Sequence, residues 1–209
     1  MSTPDAFPDL PALAAGLRAL PSSLGPVRLV AVDGHAGSGK TTFAERLAAE
    51  LGGAPVVHLD DLATHAEPFG WVERLRAQLL DPLARGETAR HGVYDWTRRR
   101  FADTRAVPPA PVVLLEGVGA GRRAVRPHLA ALLWMELDQA AAQARGERRD
   151  GPELAEFWAG WVRAERAHFA ADPSRPYAAL RVDGVTGRIA GSTLSEPVEP
   201  ALTCDVVRI

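Results

Sequence analysis

The sequence carries the stretch Gly34-His35-Ala36-Gly37-Ser38-Gly39-Lys40-Thr41, which matches the pattern G-x-x-x-x-G-K-[ST] at every fixed position. Lys40 is the only lysine among 24 basic residues, and all the others are arginine. A compact ammonium group on a flexible stem can enter a ring of backbone amides and bridge two phosphates, whereas a planar guanidinium group is too wide. The stretch therefore predicts a site for a nucleoside triphosphate.

A phosphate-binding loop connects a strand to a helix, and the residues on either side of this stretch predict both elements. Residues 27–32 form an apolar, β-branched run that is typical of a buried strand. Apolar side chains then recur at four-residue spacing over residues 43–51, which predicts a helix that ends at Gly52-Gly53. In this setting backbone N–H groups and the helix N-terminus face the phosphates. The residues that we expect to bind the triphosphate are Gly34, Ala36, Gly37, Ser38, Gly39, Lys40, Thr41 and Thr42.

Individual side chains in and near the loop have expected roles. Lys40 is a catalytic candidate that would reach the β- and γ-phosphates of ATP, and the Thr41 hydroxyl would bind Mg²⁺. Asp60 and Glu116 end later predicted strands, and since such strand ends form the ligand crevice of a parallel sheet, both should face it. Glu116 is expected to bind the same Mg²⁺ ion as Thr41 and also to contact the substrate. Asp33, directly before the loop, either braces the loop backbone or takes part in catalysis.

Alternating strands and helices along the chain predict an α/β fold with a five-stranded parallel sheet flanked by helices. The segment that contains residues 92–100 is predicted to be a loop. Further strands are expected at residues 55–59, 112–115, 132–137 and 179–182, and helices at 11–20, 71–83, 138–149 and from 153 onward.

The domain organisation follows from these elements. Residues 1–26, which hold five prolines, are expected to be an N-terminal extension, and residues 27–184 a single nucleotide-binding domain. Residues 185–209 are expected to be a C-terminal extension. It forms either an edge strand or a loose tail, and the apolar residues that would make the strand are Val206, Val207 and Ile209.

Composition excludes several classes of protein. The net charge of -2 gives no support for binding to nucleic acid or to an anionic membrane. The single cysteine, Cys204, rules out an internal disulfide framework and fits a reducing compartment. The apolar runs are too short to span a bilayer. We therefore expect a cytoplasmic protein with a small-molecule partner and with neither nucleic acid nor membrane; a homo-oligomer is left open.

Several other residues with reactive or charged side chains can be interpreted either as functional or as purely structural. Arg145, Arg148 and Arg149 share one helix face, which either closes over transferring phosphates or pairs with neighbouring acids in solvent. The tryptophans at 158 and 161 lie at helical spacing with an apolar neighbour and are expected in the core. The six histidines show no metal-ligand spacing; those at 58 and 128 are interpreted as structural and His35 as a variable loop position.

Three common classes of phosphate-loop protein are disfavoured by what the sequence lacks. It contains no asparagine and no second lysine, which excludes the [NT]-K-x-D motif of GTPases. It has no L-S-G-G-Q signature of ABC ATPases. The predicted third strand ends in Glu116-Gly117 instead of the Asp-Glu pair of AAA+ motors.

Short motifs follow the phosphate loop in a fixed order and indicate a family. They are His58-Leu59-Asp60-Asp61, Asp81-Pro82-Leu83, Val93-Tyr94-Asp95-Trp96, Leu115-Glu116-Gly117 and the arginine-rich segment at 145–149. In this order and spacing the chain resembles the uridine kinase, phosphoribulokinase and pantothenate kinase group of P-loop kinases over about residues 27–184. Within that group it is most similar to short bacterial uridine kinase-like proteins.

The resemblance implies a P-loop kinase fold with a helical lid, and transfer of the γ-phosphoryl group of ATP, with Mg²⁺, to a hydroxyl group. A nucleoside is the leading acceptor. By the same resemblance, Asp60 accepts the proton of the acceptor hydroxyl, and Tyr94 and Trp96 lie against the nucleoside. Arg145 and Arg149 belong to the lid that closes over ATP.

The chain departs from uridine kinases at two positions that bear on the acceptor. Ala63 stands where these kinases have an aromatic residue, and Arg99 stands where they have a histidine. The triplet Arg98-Arg99-Arg100 either lies in solvent or holds an anionic acceptor through charge-assisted hydrogen bonds. Two alternatives therefore stand beside the nucleoside kinase: a kinase for a phosphorylated acceptor or nucleoside monophosphate, and an ATP-binding regulatory switch.

Overall fold

The protein is represented by a computed structural model that describes residues 9–190. Its strands are β1 (Arg28–Gly34), β2 (Val56–His58), β3 (Ala89–Asp95), β4 (Arg100–Val107), β5 (Val112–Glu116), β6 (Leu129–Glu136), β7 (Leu180–Asp183) and β8 (Ile189–Ala190). Its helices are α1 (Leu10–Ala19), α2 (Lys40–Glu50), α3 (Val72–Leu75), α4 (Asp81–Ala84), α5 (Gln139–Asp150) and α6 (Ala155–Ala171), and a π-helical segment, Arg76–Leu80, joins α3 to α4.

Within residues 9–190, six strands form the central sheet in the order β2-β5-β1-β6-β7-β8. The first five are parallel and β8 pairs antiparallel at the edge. The predicted α/β class and the five-stranded parallel sheet are thus confirmed. No helix within residues 9–190 combines the length and the apolar character that crossing a bilayer requires.

The central strand β1 is buried on both faces because helices cover the sheet from both sides. Its side chains alternate: Leu29 and Ala31 join one core cluster, and Val30 and Val32 join the other. Leu17 of α1 lies in the second cluster with apolar residues of α2, so the predicted N-terminal helix packs onto the sheet. The first cluster contains the apolar face of the helical stretch from α3 to α4.

Most element boundaries lie within a few residues of the prediction. The largest shift in a sheet strand is in β6, which begins at Leu129, three residues earlier than expected. Asp138 caps α5, as predicted, and its carboxylate accepts the N–H groups of Ala140 and Ala141. The edge strand that the structure describes is β8, whereas the apolar residues predicted to form one, at 206–209, lie outside the described residues.

The prediction of a loop around residues 92–100 is wrong, because this segment forms the antiparallel hairpin β3–β4. Its hydrophobic pattern is weak, since Val107 is the single buried residue of β4. The hairpin is instead defined by backbone pairing and by its turn, in which the Asp95 carboxylate accepts the N–H groups of Thr97 and Arg98. Arg99, also in the turn, has a φ of 55°, in the left-handed region.

Helices α5 and α6 meet where Gly146 faces Trp158, and a β-carbon at Gly146 would stand 2.1 Å from an atom of that indole ring. Alanine normally stabilises a helix relative to glycine by up to about 1 kcal/mol. Here the clash should reverse the sign, and we expect Gly146→Ala to lower the free energy of unfolding by about 1–3 kcal/mol. Gly160→Ala on α6, where the nearest atom is 4.0 Å away, should raise it. Urea unfolding of both variants tests this, and a gain for Gly146→Ala would contradict the packing.

His168 on α6 makes the folded protein sensitive to acid. Its ring stacks on Phe69, and burial, followed by the charge of Arg122, lowers the pKa of His168 from 6.5 to about 4. Because the folded state disfavours the protonated ring, stability is fully present above pH 6.5 and is lost progressively as the pH falls toward 4. We expect this one residue to remove about 2 kcal/mol of unfolding free energy between pH 7 and pH 5. Urea titrations at pH 7 and pH 5 measure this loss of unfolding free energy, which should be smaller by that amount in His168→Gln than in the wild type. An equal loss in both proteins would show that His168 is not its source.

Candidate active site

The phosphate loop leads from the end of β1 into α2 along a path that requires glycine. Gly37 and Gly39 have φ angles of 84° and 97°, in a region that L side chains rarely adopt. At Gly37 a β-carbon would lie 2.1 Å from the carbonyl oxygen of Ala142, so α5 rests directly on the loop. Any side chain at Gly37 would push α5 away from the phosphate site.

Asp33 is fully buried beneath the loop and braces backbone. Its carboxylate accepts the N–H groups of Gly34 at 2.7 Å, Gly119 at 2.8 Å and Gly121 at 2.9 Å. Burial raises the pKa of Asp33, and these amide bonds oppose that effect. Of the two interpretations of Asp33, the structure therefore displays the bracing one: its oxygens join the start of the loop to the segment after β5.

A cavity of about 290 Å³ opens over the loop. Six of the eight residues predicted to bind the triphosphate line it: Ala36, Gly37, Gly39, Lys40, Thr41 and Thr42. The other two lie behind it, Gly34 donating its N–H to Asp33 and Ser38 being buried. The Lys40 side chain is 8% exposed, and its ammonium donates to the carbonyl of His35 at 2.9 Å.

Glu116, at the end of β5, is buried beside Thr41 on the cavity wall. Its Oε1 accepts the Thr41 hydroxyl at 3.2 Å and lies 2.6 Å from Nδ1 of His58. The bond to Glu116 raises the pKa of His58, although burial opposes the charged ring. His58 was interpreted as structural, and in the structure its ring contacts Glu116, an acid that lines the cavity.

Asp60 follows β2 in a short turn of 3₁₀-helix and lines the same cavity. Asp60 is exposed at the cavity surface, and partial desolvation by the surrounding protein is the main cause that raises the pKa of its carboxyl group. The charge of Glu116 raises it further, and that of Lys40 opposes the shift. Two carboxylates that repel each other beside a hydroxyl form a place where a cation would be stabilised.

These oxygen groups fit a magnesium ion. Mg²⁺ prefers hard oxygen ligands and is commonly held by one or two carboxylates together with substrate phosphates. The Thr41 hydroxyl and the Glu116 carboxylate, already within 3.2 Å of each other, are the side chains placed to hold it. Within residues 9–190 no group of three or more His, Cys, Asp or Glu side chains could hold a metal by itself. Phosphate oxygens and water would therefore supply most of the ligands.

The arginines of α5 divide between the cavity and the solvent. Arg145 and Arg149 line the cavity, and Arg148 does not. Arg145 donates to the carbonyl of Gly184, while Arg149 forms a two-point contact with Asp150 at 2.6 and 2.9 Å. The bond to Asp150 raises the pKa of Arg149, which stays positively charged next to the phosphate site.

A second cavity of about 830 Å³ adjoins the first. It lies between the tip of the β3–β4 hairpin and the start of α6, and its walls combine aromatic and charged side chains. Ring centroids are 5.8 Å apart between Trp96 and Phe157 and 6.4 Å between Trp96 and Trp161. Four residues line both cavities: Ala36, Asp60, Arg149 and Trp161.

Of the five residues predicted to contact the acceptor, the larger cavity is lined by Asp60, Trp96 and Arg99 but not by Tyr94 or Glu116. Trp96 is half-buried, and its indole N–H donates to the carbonyl of Asp60 at 3.2 Å. Tyr94 is buried behind His65, whose Nδ1 lies 3.2 Å from the tyrosine hydroxyl. The ring facing the cavity is thus His65, 4.8 Å from Trp96.

Sequence reasoning missed three residues of this region. It gave no role to His65 or to Glu165, and it took His35 for a variable position. In the structure the carboxylate of Glu165 lies 2.6 Å from Nδ1 of His35 and accepts the N–H of Ala36. The Ala36 amide is therefore already bonded. The tryptophans at 158 and 161 are buried as predicted, yet they also form cavity wall.

Comparisons with known proteins point to one fold. No protein-family model matches the sequence, and no curated protein sequence is a significant match. Among solved structures, a possible uridine kinase from Bacillus stearothermophilus matches with a TM-score of 0.52 and 21% identity, over 70% of this chain and 93% of that one. The chain has the fold of the uridine kinase-like P-loop kinases.

Two further structures share this P-loop kinase fold. A candidate fructose transport system kinase from Silicibacter sp. TM1040 matches with a TM-score of 0.57 and 24% identity, over 76% of this chain and 94% of that one. D-glycerate 3-kinase from Cryptococcus neoformans var. grubii matches with a TM-score of 0.55 and 15% identity, over 87% and 95%. The names of the three neighbours refer to uridine, to fructose transport and to D-glycerate. A shared fold does not carry any of these substrates over to this chain.

Proposed function

We propose that the protein is an ATP- and Mg²⁺-dependent small-molecule kinase that transfers the γ-phosphoryl group to a hydroxyl. The observation that carries the proposal is the position of Asp60, which lines both the phosphate cavity and the larger aromatic cavity. An acceptor in the larger cavity would present its hydroxyl at this carboxylate, facing the end of a triphosphate held over the phosphate loop.

The charges around Asp60 suit this reaction. Phosphoryl transfer passes through a loose transition state, so catalysis depends on positioning and electrostatic stabilisation. Asp60 would orient the acceptor hydroxyl and take its proton, and the shift that raises its pKa makes it a better proton acceptor. Lys40, Arg145 and Arg149 would offset the negative charge on the phosphoryl oxygens. A bound Mg²⁺ would supply further neutralisation of the phosphates.

The larger cavity favours an acceptor with a planar ring, and a nucleoside is our leading candidate. Trp96, Phe157 and Trp161 offer aromatic surface for stacking, and His65 adds a further ring at 4.8 Å from Trp96. Such a wall gives little to a small sugar, which has no flat apolar face of comparable size. This cavity would accept the base while the sugar hydroxyl reaches Asp60.

Arg99 favours a second candidate, an acceptor that carries a phosphate or carboxylate. Its side chain lines the larger cavity and forms no ion pair or hydrogen bond within residues 9–190, whereas Arg149 on the opposite wall is bonded to Asp150. The neighbouring Arg98 instead contacts Asp95 at 3.5 Å and does not line the cavity. Arg99 alone of the triplet is thus placed to hold an acceptor anion.

The test is ADP release with Mg-ATP across a panel of uridine, cytidine, other nucleosides, nucleoside monophosphates, pantothenate, D-glycerate, fructose and sugar phosphates. Stimulation by a nucleoside would support the leading candidate, and stimulation by phosphorylated compounds alone would favour the role of Arg99. Slow ADP release that no compound stimulates would contradict the kinase and favour an ATP-binding switch. Arg99→Ala separates the two candidates, since only an anionic acceptor should lose affinity.

A further inference from the structure

We propose that Glu165 is a positioning residue that ties the phosphate loop to the wall of the acceptor cavity. Its side chain lies on α6, is buried, and lines neither of the two cavities. The proposal rests on the proposed function only in taking the loop to bind a triphosphate and the larger cavity to bind the acceptor.

The two oxygens of the Glu165 carboxylate together contact residues on two sides of the site. Oε1 lies 2.6 Å from Nδ1 of His35, and Oε2 accepts the N–H of Ala36 at 3.1 Å. Oε2 also accepts the indole N–H of Trp161, one turn earlier on α6, at 3.1 Å. Because Trp161 lines both cavities, one carboxylate holds two residues of the phosphate loop and one residue of the acceptor wall.

The bond to His35 extends to the only lysine of the chain. The carbonyl of His35 accepts the Lys40 ammonium at 2.9 Å, so the position of this peptide sets the position of the cation. The His35 ring is fixed edge-on between Trp134 and Phe169, with centroids 5.6 and 5.3 Å away. Glu165 supplies the polar contact of this ring, and its loss would let the first half of the loop shift.

Because Glu165 is charged, the direction in which its removal changes ATP affinity tests its role. Burial opposes its ionisation, but the bonds from His35 and Ala36 outweigh burial and lower the pKa of Glu165, so it is negative at neutral pH. A negative charge next to a polyanion site weakens binding of that polyanion. Charge alone therefore predicts that removing the carboxylate tightens ATP binding, whereas positioning predicts that it weakens ATP binding.

Two substitutions separate these effects when the affinity for Mg-ATP is measured by titration calorimetry without an acceptor. Glu165→Ala removes the charge and all three bonds, and we expect its dissociation constant for ATP to rise about tenfold or more. Glu165→Gln removes only the charge. Its carbonyl oxygen can accept the N–H groups of Ala36 and Trp161, and its amide can donate to Nδ1 of a neutral His35. We expect this variant to bind ATP at least as tightly as the wild type.

Val162→Ala is the matched control for a general loss of stability. Val162 lies on the same helix, is 9% exposed and lines neither cavity. All variants are measured at a temperature where circular dichroism shows them folded, and Val162→Ala should keep the wild-type affinity. Wild-type affinity in Glu165→Ala, an equal loss in Glu165→Gln, or an equal loss in Val162→Ala would each overturn the proposal.

The link to the acceptor wall is tested by a double-mutant cycle. Trp161→Phe keeps a ring in the wall but removes the indole N–H, and it should weaken ATP binding in the wild type and less in the Glu165→Ala background. Additive effects would overturn the link. If the protein bound ATP but phosphorylated no acceptor, that result would count against the proposed function. The affinities of the Glu165 variants would still decide the positioning role in that case.

Discussion

Asp60→Asn is expected to lower kcat with the identified acceptor by about 10²- to 10⁴-fold. The amide has nearly the shape of the carboxylate, so the loss would come from its inability to take a proton from the acceptor hydroxyl. The ATP affinity should stay close to that of the wild type or improve, because the substitution removes one of the two anions that repel each other across the phosphate cavity. Steady-state kinetics and ATP titration measure the two quantities separately.

The neighbouring acid provides the control for this substitution. Asp61 pairs with Arg105 at 2.8 Å and lines neither cavity. Asp61→Asn should therefore leave kcat within a factor of about two, since neither Asp61 nor Arg105 lines a cavity and a partly exposed ion pair contributes little. Wild-type turnover in Asp60→Asn would show that another group orients the hydroxyl, and the proposed role of Asp60 would have to be abandoned.

Lys40→Ala is expected to lower kcat by about 10²- to 10³-fold, the scale seen when one preorganised donor to a transition-state charge is removed. Lys40→Arg is the sharper variant because it keeps the positive charge. Lys40 is 8% exposed at the wall of the phosphate cavity, and its ammonium is held by the His35 carbonyl at 2.9 Å. A planar guanidinium group is wider than this ammonium, so we expect Lys40→Arg to recover little of the lost rate.

Arg148→Ala serves as the control for charge loss, since Arg148 lies on α5 but lines neither cavity. It should retain nearly full activity. If Lys40→Arg were as active as the wild type, charge alone would explain the role of Lys40. A compact ammonium group would then not be required at this position.

The parts of the fold that the sequence predicted are those with strong local signals. The apolar run before the loop marks β1, and Asp138 marks the start of α5. The β3–β4 hairpin was missed because seven of the eight residues of β4 are exposed, so its pattern lacks the alternation that identifies a half-buried strand. Its turn depends on Asp95 and on a left-handed arginine instead of glycine.

In the candidate site, too, the residues with a local sequence signal were predicted and those without one were missed. The loop residues could be named from sequence because each has a fixed place in a short motif, and strand ends brought Asp60 and Glu116 to the same cavity. Glu165 could not be found this way. It lies 129 residues from Ala36 along the chain, and only the packing of α6 beside the loop makes them partners. The sequence shows only that Glu165 follows Trp161 by four residues, which places the two on the same face of the helix.

The wall shared by the two cavities has a kinetic consequence. Ala36, Asp60, Arg149 and Trp161 line both cavities, so the two cavities adjoin, and we expect a nucleotide in the smaller one and an acceptor in the larger one to form a ternary complex. Direct transfer within such a ternary complex requires sequential kinetics, in which double-reciprocal plots at several acceptor concentrations intersect. Parallel lines would instead indicate a phosphorylated enzyme intermediate and a first product that leaves before the second substrate enters.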